Sequence, residues 1–300
     1  MTTDDHSDIG WELYRSYLGV LEEGSLSGAA RALGIAQPTV GRHVDALEKA
    51  LGLILFTRSQ TGLLPTEAAL ALQPFAQSMS SSAAALKRAA ESQGSGIKGT
   101  VRVTASEMMG LEVLPPMLAK LQDAHPDLTV ELVLSNRVQD LLQREADIAV
   151  RMTQPTQEQL IARHIGALEL GLHAHQDYLR KHGAPRSLDE LTQHALIGYD
   201  EEAPYLRVVR KHFPMWNRDN FAVRTNSDMA QMAMIRAGAG IGVCQVALAA
   251  RDPNLVNLLP GSIPLRLETW LTMHEDLRNS PRCKVTFDAL LQGLHDYMHG

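Results

Sequence analysis

Gly24-Ser25-Leu26-Ser27-Gly28-Ala29-Ala30-Arg31-Ala32-Leu33-Gly34-Ile35-Ala36-Gln37-Pro38-Thr39-Val40-Gly41-Arg42-His43-Val44-Asp45-Ala46-Leu47-Glu48 reads as two short helices joined by one glycine turn. Ser25 and Ser27 are side chains of the kind that cap a helix start. The alanine-rich run after them allows helices to approach closely. Gly34 stands where a helix end favours a left-handed residue, and Ile35 can plug the core beneath the turn. Pro38 suits a first helical position, with Gln37 as its cap. In the helix that follows, Val40, Val44 and Leu47 share one face, whereas Thr39, Arg42, His43 and Ala46 share another. The first face packs. The second offers a hydroxyl, a guanidinium and an imidazole, with the Gln37 amide at the helix start, and such groups contact base edges and phosphates. An ordinary three-helix core with a solvated face has the same spacings, so both readings stand at this point.

Upstream, Tyr14, Leu18 and Leu21 recur at helical spacing, which predicts a helix over Trp11–Glu23 that ends before Gly24. Downstream, Leu53 to Thr66 reads as two short strands around a glycine-containing turn, a wing on which Arg58 and Thr61 would touch phosphates. Beyond Thr66, Ala68, Leu72, Phe75, Met79 and Leu86 mark an apolar stripe along one long helix interrupted by Pro74. That stripe must be covered, either by its own domain or by a second copy of the helix. Gln93-Gly94-Ser95-Gly96-Ile97-Lys98-Gly99 then reads as a flexible polar hinge.

After the hinge, short apolar runs alternate with helical patterns: Val101-Arg102-Val103, a helix through Leu118 and Leu121, Leu128 to Val133, a helix through Leu141, and Asp147 to Val150. A second cycle follows, with strands expected over 168–173, 195–199, 221–225 and 241–243, a returning strand over 267–273, and a closing helix from Pro281 to Met298. Such alternation predicts an open, mostly parallel sheet covered by helices, folded as two α/β lobes with a cleft between them.

Net charge is −6, the wrong sign for a surface that grips nucleic acid everywhere. Even from Trp11 to Thr66, Arg15, Arg31, Arg42, Lys49 and Arg58 are matched by Glu12, Glu22, Glu23, Asp45 and Glu48. Any DNA contact must therefore be local to one helix face. The start MTTDDHSDIG is acidic and polar, unlike a secretory signal, and no stretch approaches the length of a membrane span. A soluble, cytoplasmic protein with no membrane partner is expected. Cys244 and Cys283 lie far apart and outside any CxxC arrangement, and are expected to be buried thiols.

With these features in place, the segment Gly24–Glu48, the words Leu55-Phe56-Thr57-Arg58 and Pro65-Thr66-Glu67-Ala68, and Asp147-Ile148-Ala149-Val150-Arg151 and Gly238-Ala239-Gly240-Ile241-Gly242 resemble LysR-type transcriptional regulators over nearly the whole chain. The resemblance implies a winged helix-turn-helix over residues 1–66 and a linker helix and hinge for dimerisation over 67–99. It also implies a two-lobed α/β domain of the type 2 periplasmic-binding-protein kind, with lobe I over 100–164 and 270–300 and lobe II over 165–269. Its implied partners are double-stranded promoter DNA, a small-molecule effector, further copies in a homodimer or homotetramer, and RNA polymerase. Four positions depart from the family's usual pattern: Gly41 where Ser is common, Pro65 where Leu is common, and Gln245-Val246 where Leu-Pro is common.

The candidate DNA-binding residues are Leu26, Ser27, Arg31, Gln37, Pro38, Thr39, Arg42, His43, Arg58 and Thr61. Ligands of open α/β sheets bind beyond the carboxyl ends of strands and near helix starts. That rule selects Thr104, Ser106, Glu107, Met108, Arg151, Thr153, Tyr199, Asn226 and Ser227, with Gln245 on the wall of the second lobe. Glu107 and the run Asp200-Glu201-Glu202 would repel an anion unless Arg151 or Arg102 compensates, so a small polar or aromatic effector that is not strongly anionic is expected.

Rival chemistry is weaker. The glycines at 238–242 follow a helical pattern, whereas a dinucleotide fingerprint needs a preceding strand. His173 with His175, and His295 with His299, have metal-like spacing but no third ligand at motif distance. No G-x-S-x-G elbow, HExxH or phosphate loop occurs. The expected protein is thus neither an enzyme nor the holder of a metal or cofactor. A solute-binding protein or enzyme built on the two lobes, and a DNA-bound architectural dimer without an effector, are the alternatives.

Overall fold

The structure, a computed structural model, describes residues 9–59, 62–91, 96–136, 146–155, 160–200, 216–263 and 265–299. These residues form two compact units, one running to Lys87 and the other starting at Arg88.

The first unit contains α1 (Trp11–Glu23), α2 (Leu26–Leu33), α3 (Gln37–Leu51), strands β1 (Phe56–Ser59) and β2 (Gly62–Pro65), and most of α4 (Glu67–Glu91). Ser25 caps α2, its hydroxyl accepting from the Gly28 amide at 3.1 Å, while Ser27 lies inside the first turn. Gly34 adopts φ 68°, and the Ile35 amide returns to the Ala30 carbonyl at 3.1 Å, closing α2 in a left-handed turn that an L side chain would strain. The start of α3 differs by one residue from the sequence reading. Ala36 is the extended boundary residue, Gln37 is already helical, and no side chain caps the helix. Either first-turn position keeps proline's missing N–H outside the helical ladder, so Pro38 tolerates both. Gln37 is therefore an exposed first-turn residue rather than a cap.

The wing is fastened from both sides. The Glu48 carboxylate accepts from the Leu55 and Phe56 amides at 2.6 and 3.1 Å, and the Leu63 amide donates to Gly24 at the end of α1 at 2.9 Å. A Cβ at Gly62 would sit 2.6 Å from that same Gly24 carbonyl, which reserves the position for glycine. Tyr17, Val40, Val44, Leu47 and Leu55 form the core, joined by Ala69 and Ala76 of α4. The expected stripe on α4 thus divides. Leu72 packs on the core between those alanines, whereas Phe75, Met79 and Leu86 are exposed.

The second unit contains β3 (Gly99–Ala105), a π-helical turn (Met109–Val113), α5 (Pro115–Ala124), β4 (Leu128–Leu134), β5 (Ile148–Arg151), β6 (Leu160–His175) and α6 (Gln176–His182). It continues with β7 (Leu196–Tyr199), β8 (Phe221–Thr225), α7 (Asp228–Arg236), β9 (Gly242–Gln245), α8 (Val246–Ala249), β10 (Leu255–Leu258), β11 (Arg266–His274) and α9 (Pro281–His299). The helix expected through Leu141 lies outside the described residues, as does part of the expected hinge. Among the described residues the main sheet has the order β10-β6-β11-β5-β3-β4, with β9 also on β6.

This sheet is mixed rather than mostly parallel. Pairings β3–β4 and β3–β5 are parallel, but β11 runs antiparallel to both β5 and β6, and β6 runs antiparallel to β9 and β10. The long strands β6 and β11 serve both lobes, pairing from Leu160↔His274 to Glu169↔Arg266. The first residues of β6 announce no strand because they are not buried, ending on exposed Arg163 and His164. Among the described residues of this unit the two largest apolar clusters lie one on each side of this junction. Val101, Ile148, Leu271 and Leu290 lie in the first, and Leu172, Tyr178, Leu196 and Phe221 in the second.

Candidate nucleic-acid interface and ligand cleft

In the first unit, helices α1 and α2 hold α3 by its apolar face, so the opposite face is presented as a rigid set. Gln37, Pro38 and Arg42 are exposed and Thr39 is partly so, with the Arg42 guanidinium donating to the Thr39 hydroxyl at 3.3 Å. Arg31 is exposed on the last turn of α2, Ser27 on its first, and Leu26 is half-buried at its start. Arg58 is exposed on β1, and Thr61 lies outside the described residues. His43 differs from its neighbours because its Nδ1 lies 2.8 Å from the Ser16 hydroxyl of α1. A short helix pair, a tight turn and a wing projecting a guanidinium, an amide and hydroxyls on one side have the geometry of a major-groove reader.

In the second unit, the selected cleft residues divide into engaged and open groups. Arg151 is buried at the end of β5, donating to the Thr104 hydroxyl at 2.9 Å and to the Val150 carbonyl at 3.0 Å. Arg102 pairs with Glu131 directly across β3 and β4 at 3.2 Å. Both arginines that could offset acidic cleft residues are thus already occupied. Met108 is buried with Ile197, Met232, Ile235 and Cys244, which come from the other lobe. The Gln245 amide is buried too, accepting from the Tyr297 hydroxyl at 2.8 Å. Ser106 and Glu107 remain partly accessible, with the Glu107 amide donating to Asn136 at 3.1 Å. Asn226 and Thr153 are exposed, Tyr199 is half-buried, and Ser227 caps α7 by accepting from the Ala230 amide at 3.3 Å.

Sequence reasoning missed Asp228, which follows the Ser227 cap in the first turn of α7. Burial pushes its carboxyl above the ordinary aspartate range, and the charge of Glu107 from the other lobe pushes the same way. The Ser-Asp pair at a helix start was the available signal. Also missed was the polar strap between lobes. The Arg236 guanidinium at the end of α7 grips Glu112 through both oxygens at 2.6 and 3.0 Å, and Arg251 donates to the Glu112 carbonyl at 2.8 Å. Arg251 also lies 4.7 Å over the Tyr297 ring. The hydrogen bonds from Arg236 hold the Glu112 carboxyl below the usual glutamate range.

Cys244 sits 3.3 Å from His173 Nδ1, and burial pushes its thiol up to about 12. A thiol held protonated in this way is a packing group rather than a nucleophile. His173 also lies 2.9 Å from the Gly171 carbonyl, and His175 caps α6 by accepting from the Asp177 amide. No helix among the described residues is long and apolar enough to cross a membrane.

Comparison with known proteins places both units. Residues 11–70 match the family model described as the bacterial regulatory helix-turn-helix protein, lysR family, and residues 94–295 match the LysR substrate binding domain. The HTH-type transcriptional regulator CrgA of Neisseria meningitidis serogroup C (strain 8013) is 32% identical over 185 residues, covering 62% of this chain and 62% of the relative. An uncharacterised HTH-type regulator of Escherichia coli K12, YhjC, is 26% identical over 94% of this chain and 97% of its own length. The solved structure of CrgA from Neisseria meningitidis superposes with a TM-score of 0.59 at 27% identity, covering 94% of this chain and 98% of that one. Against other relatives the aligned stretch is shorter, spanning 53% of the length of an HTH-type regulator from Xanthomonas campestris.

Proposed function

The chain belongs to the LysR family, and from that premise we propose that it is a transcriptional regulator that binds promoter DNA through α3 and a small effector between its two lobes. The observation that carries this reading is the outward set on α3, with Gln37 and Arg42 exposed above a face wholly committed to the core. Gln37, Thr39 and Arg42 read bases or phosphates, while Leu26, Ser27, Arg31, Pro38, Arg58 and Thr61 position the head on the backbone. The local charge balance leaves specificity to a few contacts, multiplied by pairing of protomers. Pairing is assigned to α4, where the exposed Phe75, Met79 and Leu86 lie along one helix and would be covered by a second copy. A dimer or tetramer then offers two or more reading helices to spaced half-sites, in the cytoplasm, without enzymatic activity and with RNA polymerase as a further partner.

The effector is proposed to be small, polar or aromatic and not strongly anionic. Ser106, Glu107, Tyr199, Asn226 and Ser227 line its site, with Asp228 beside them. Occupied arginines and the Glu107–Asp228 repulsion support that chemistry. Fluorescence anisotropy on promoter fragments, repeated with anionic, neutral and cationic metabolites, tests both halves. Sequence-selective binding that shifts with a neutral or cationic ligand is expected. Equal affinity for every duplex contradicts the DNA reading, and thermal stabilisation by carboxylates alone contradicts the effector class.

A further inference from the structure

His43 sits on the outward side of α3 by sequence spacing, yet its ring turns back to α1, where Nδ1 lies 2.8 Å from Ser16 Oγ. Ser16 is 1% exposed and adjoins Tyr17, so its hydroxyl has no access to water. The contact with His43 is the one hydrogen bond recorded for that hydroxyl among the described residues. The contact uses the hydroxyl's hydrogen when Ser16 donates and Nδ1 accepts. A neutral imidazole that accepts at Nδ1 carries its hydrogen on Nε2. The ring is only partly buried, which leaves Nε2–H as the polar atom available to a partner of α3.

We infer that His43 is a positioning residue tied to Ser16, and that the buried hydroxyl sets both the seat of α3 on α1 and the imidazole tautomer presented to DNA. An Nε2–H donor matches phosphate oxygens and the O6 and N7 acceptors of guanine. It mismatches the amino donors of cytosine and adenine. Ser16, which never reaches the surface, thereby takes part in what the reading helix recognises. This inference rests on the DNA-binding proposal for its consequence, but not for the tautomer itself.

Two measurements separate the levels. Long-range proton–nitrogen correlation on the full chain labelled at histidine, without DNA, is expected to show His43 as the Nε2–H tautomer and to lose that preference in Ser16→Ala. An Nδ1–H ring, or one indifferent to Ser16→Ala, overturns the inference. On a duplex selected by the wild type, Ser16→Ala is expected to bind about tenfold more weakly, and the double variant Ser16→Ala/His43→Ala no more weakly than His43→Ala alone. Unchanged affinity in Ser16→Ala, or additive losses, overturns the positioning role. If Ser16→Ala perturbs the fold, His43→Gln, which keeps a donor and an acceptor, replaces it, and affinity as poor as that of His43→Ala refutes recognition through an N–H donor. Failure of the wild type to select any duplex removes the DNA-binding reading and the positioning role together, leaving the tautomer measurement standing.

Discussion

The reading head and the lobed unit solve opposite problems with the same kinds of residue. In the first unit the polar groups assigned to function are left outside, because Val40, Val44 and Leu47 take all the burial that α3 requires. In the second unit the corresponding groups are drawn inside: Arg151 bonds Thr104, Gln245 accepts from Tyr297, and Met108 packs with Ile197 and Cys244. The contrast teaches that a recognition helix is specified by what its back face buries. A ligand cleft is specified instead by which of its polar groups the protein leaves unspent.

The largest effect should come from removing a group on the open side. Arg42→Ala is expected to lose specific duplex binding, roughly 2–6 kcal/mol for a dimer that forfeits the contact twice, with melting temperature and oligomeric state unchanged. Anisotropy titration beside light scattering checks it, and wild-type affinity would strike Arg42 from the contact set. Next comes the joint that orients the wing. Glu48→Ala strands the Leu55 and Phe56 amides and is expected to destabilise the first unit by about 1–2 kcal/mol in urea melts.

A smaller effect probes the closed side. Glu112→Gln is expected to cost about 0.5–1 kcal/mol at neutral pH, since the pair with Arg236 is partly exposed. The Glu112 carboxyl titrates below its ordinary value in the folded chain, so its contribution is fully present above about pH 4.5 and is lost as pH falls through the lowered value. Glu112→Gln should flatten that part of the acid limb, and an unchanged acid limb would show the strap to be inert. The smallest effect concerns Gly41. A Cβ there meets only Leu26 Cδ1 at 3.7 Å, so Gly41→Ala is expected to stabilise the head by about 0.5–1 kcal/mol, read as a rise in melting temperature. A loss of stability would mean that α3 needs the glycine.

The same contrast explains what was legible in the sequence. The head is built from neighbours: Ser25 caps three residues on, Gly34 ends the helix it follows, and Val40, Val44 and Leu47 repeat at helical spacing. Local periodicity therefore gives its elements nearly to the residue. The wing's tie from Leu63 back to Gly24, and the inward turn of His43 toward a serine 27 positions away, depend on distant residues and leave no local trace. The cleft is almost entirely of this second kind. Position at strand ends selected Thr104, Arg151 and Ser227, and the fold puts the first two at the ends of β3 and β5 and the third at the start of α7. Only the fold reveals that Arg151 spends its guanidinium on Thr104, or that Asp228 faces the charge of Glu107. Antiparallel pairing of β6 with β11 escaped the sequence because the partners lie about a hundred residues apart, and at the start of β6 exposed Arg163 and His164 interrupt the apolar pattern.

The central claim is that a few outward groups on α3, doubled by α4, give this acidic protein sequence-specific DNA binding. Selection from a random duplex pool by the full chain tests it most directly. The account predicts enrichment of paired half-sites about one helical turn apart, or a multiple of that, with no enrichment by Arg42→Ala. A wild-type pool without any motif, or one that Arg42→Ala reproduces, would contradict it.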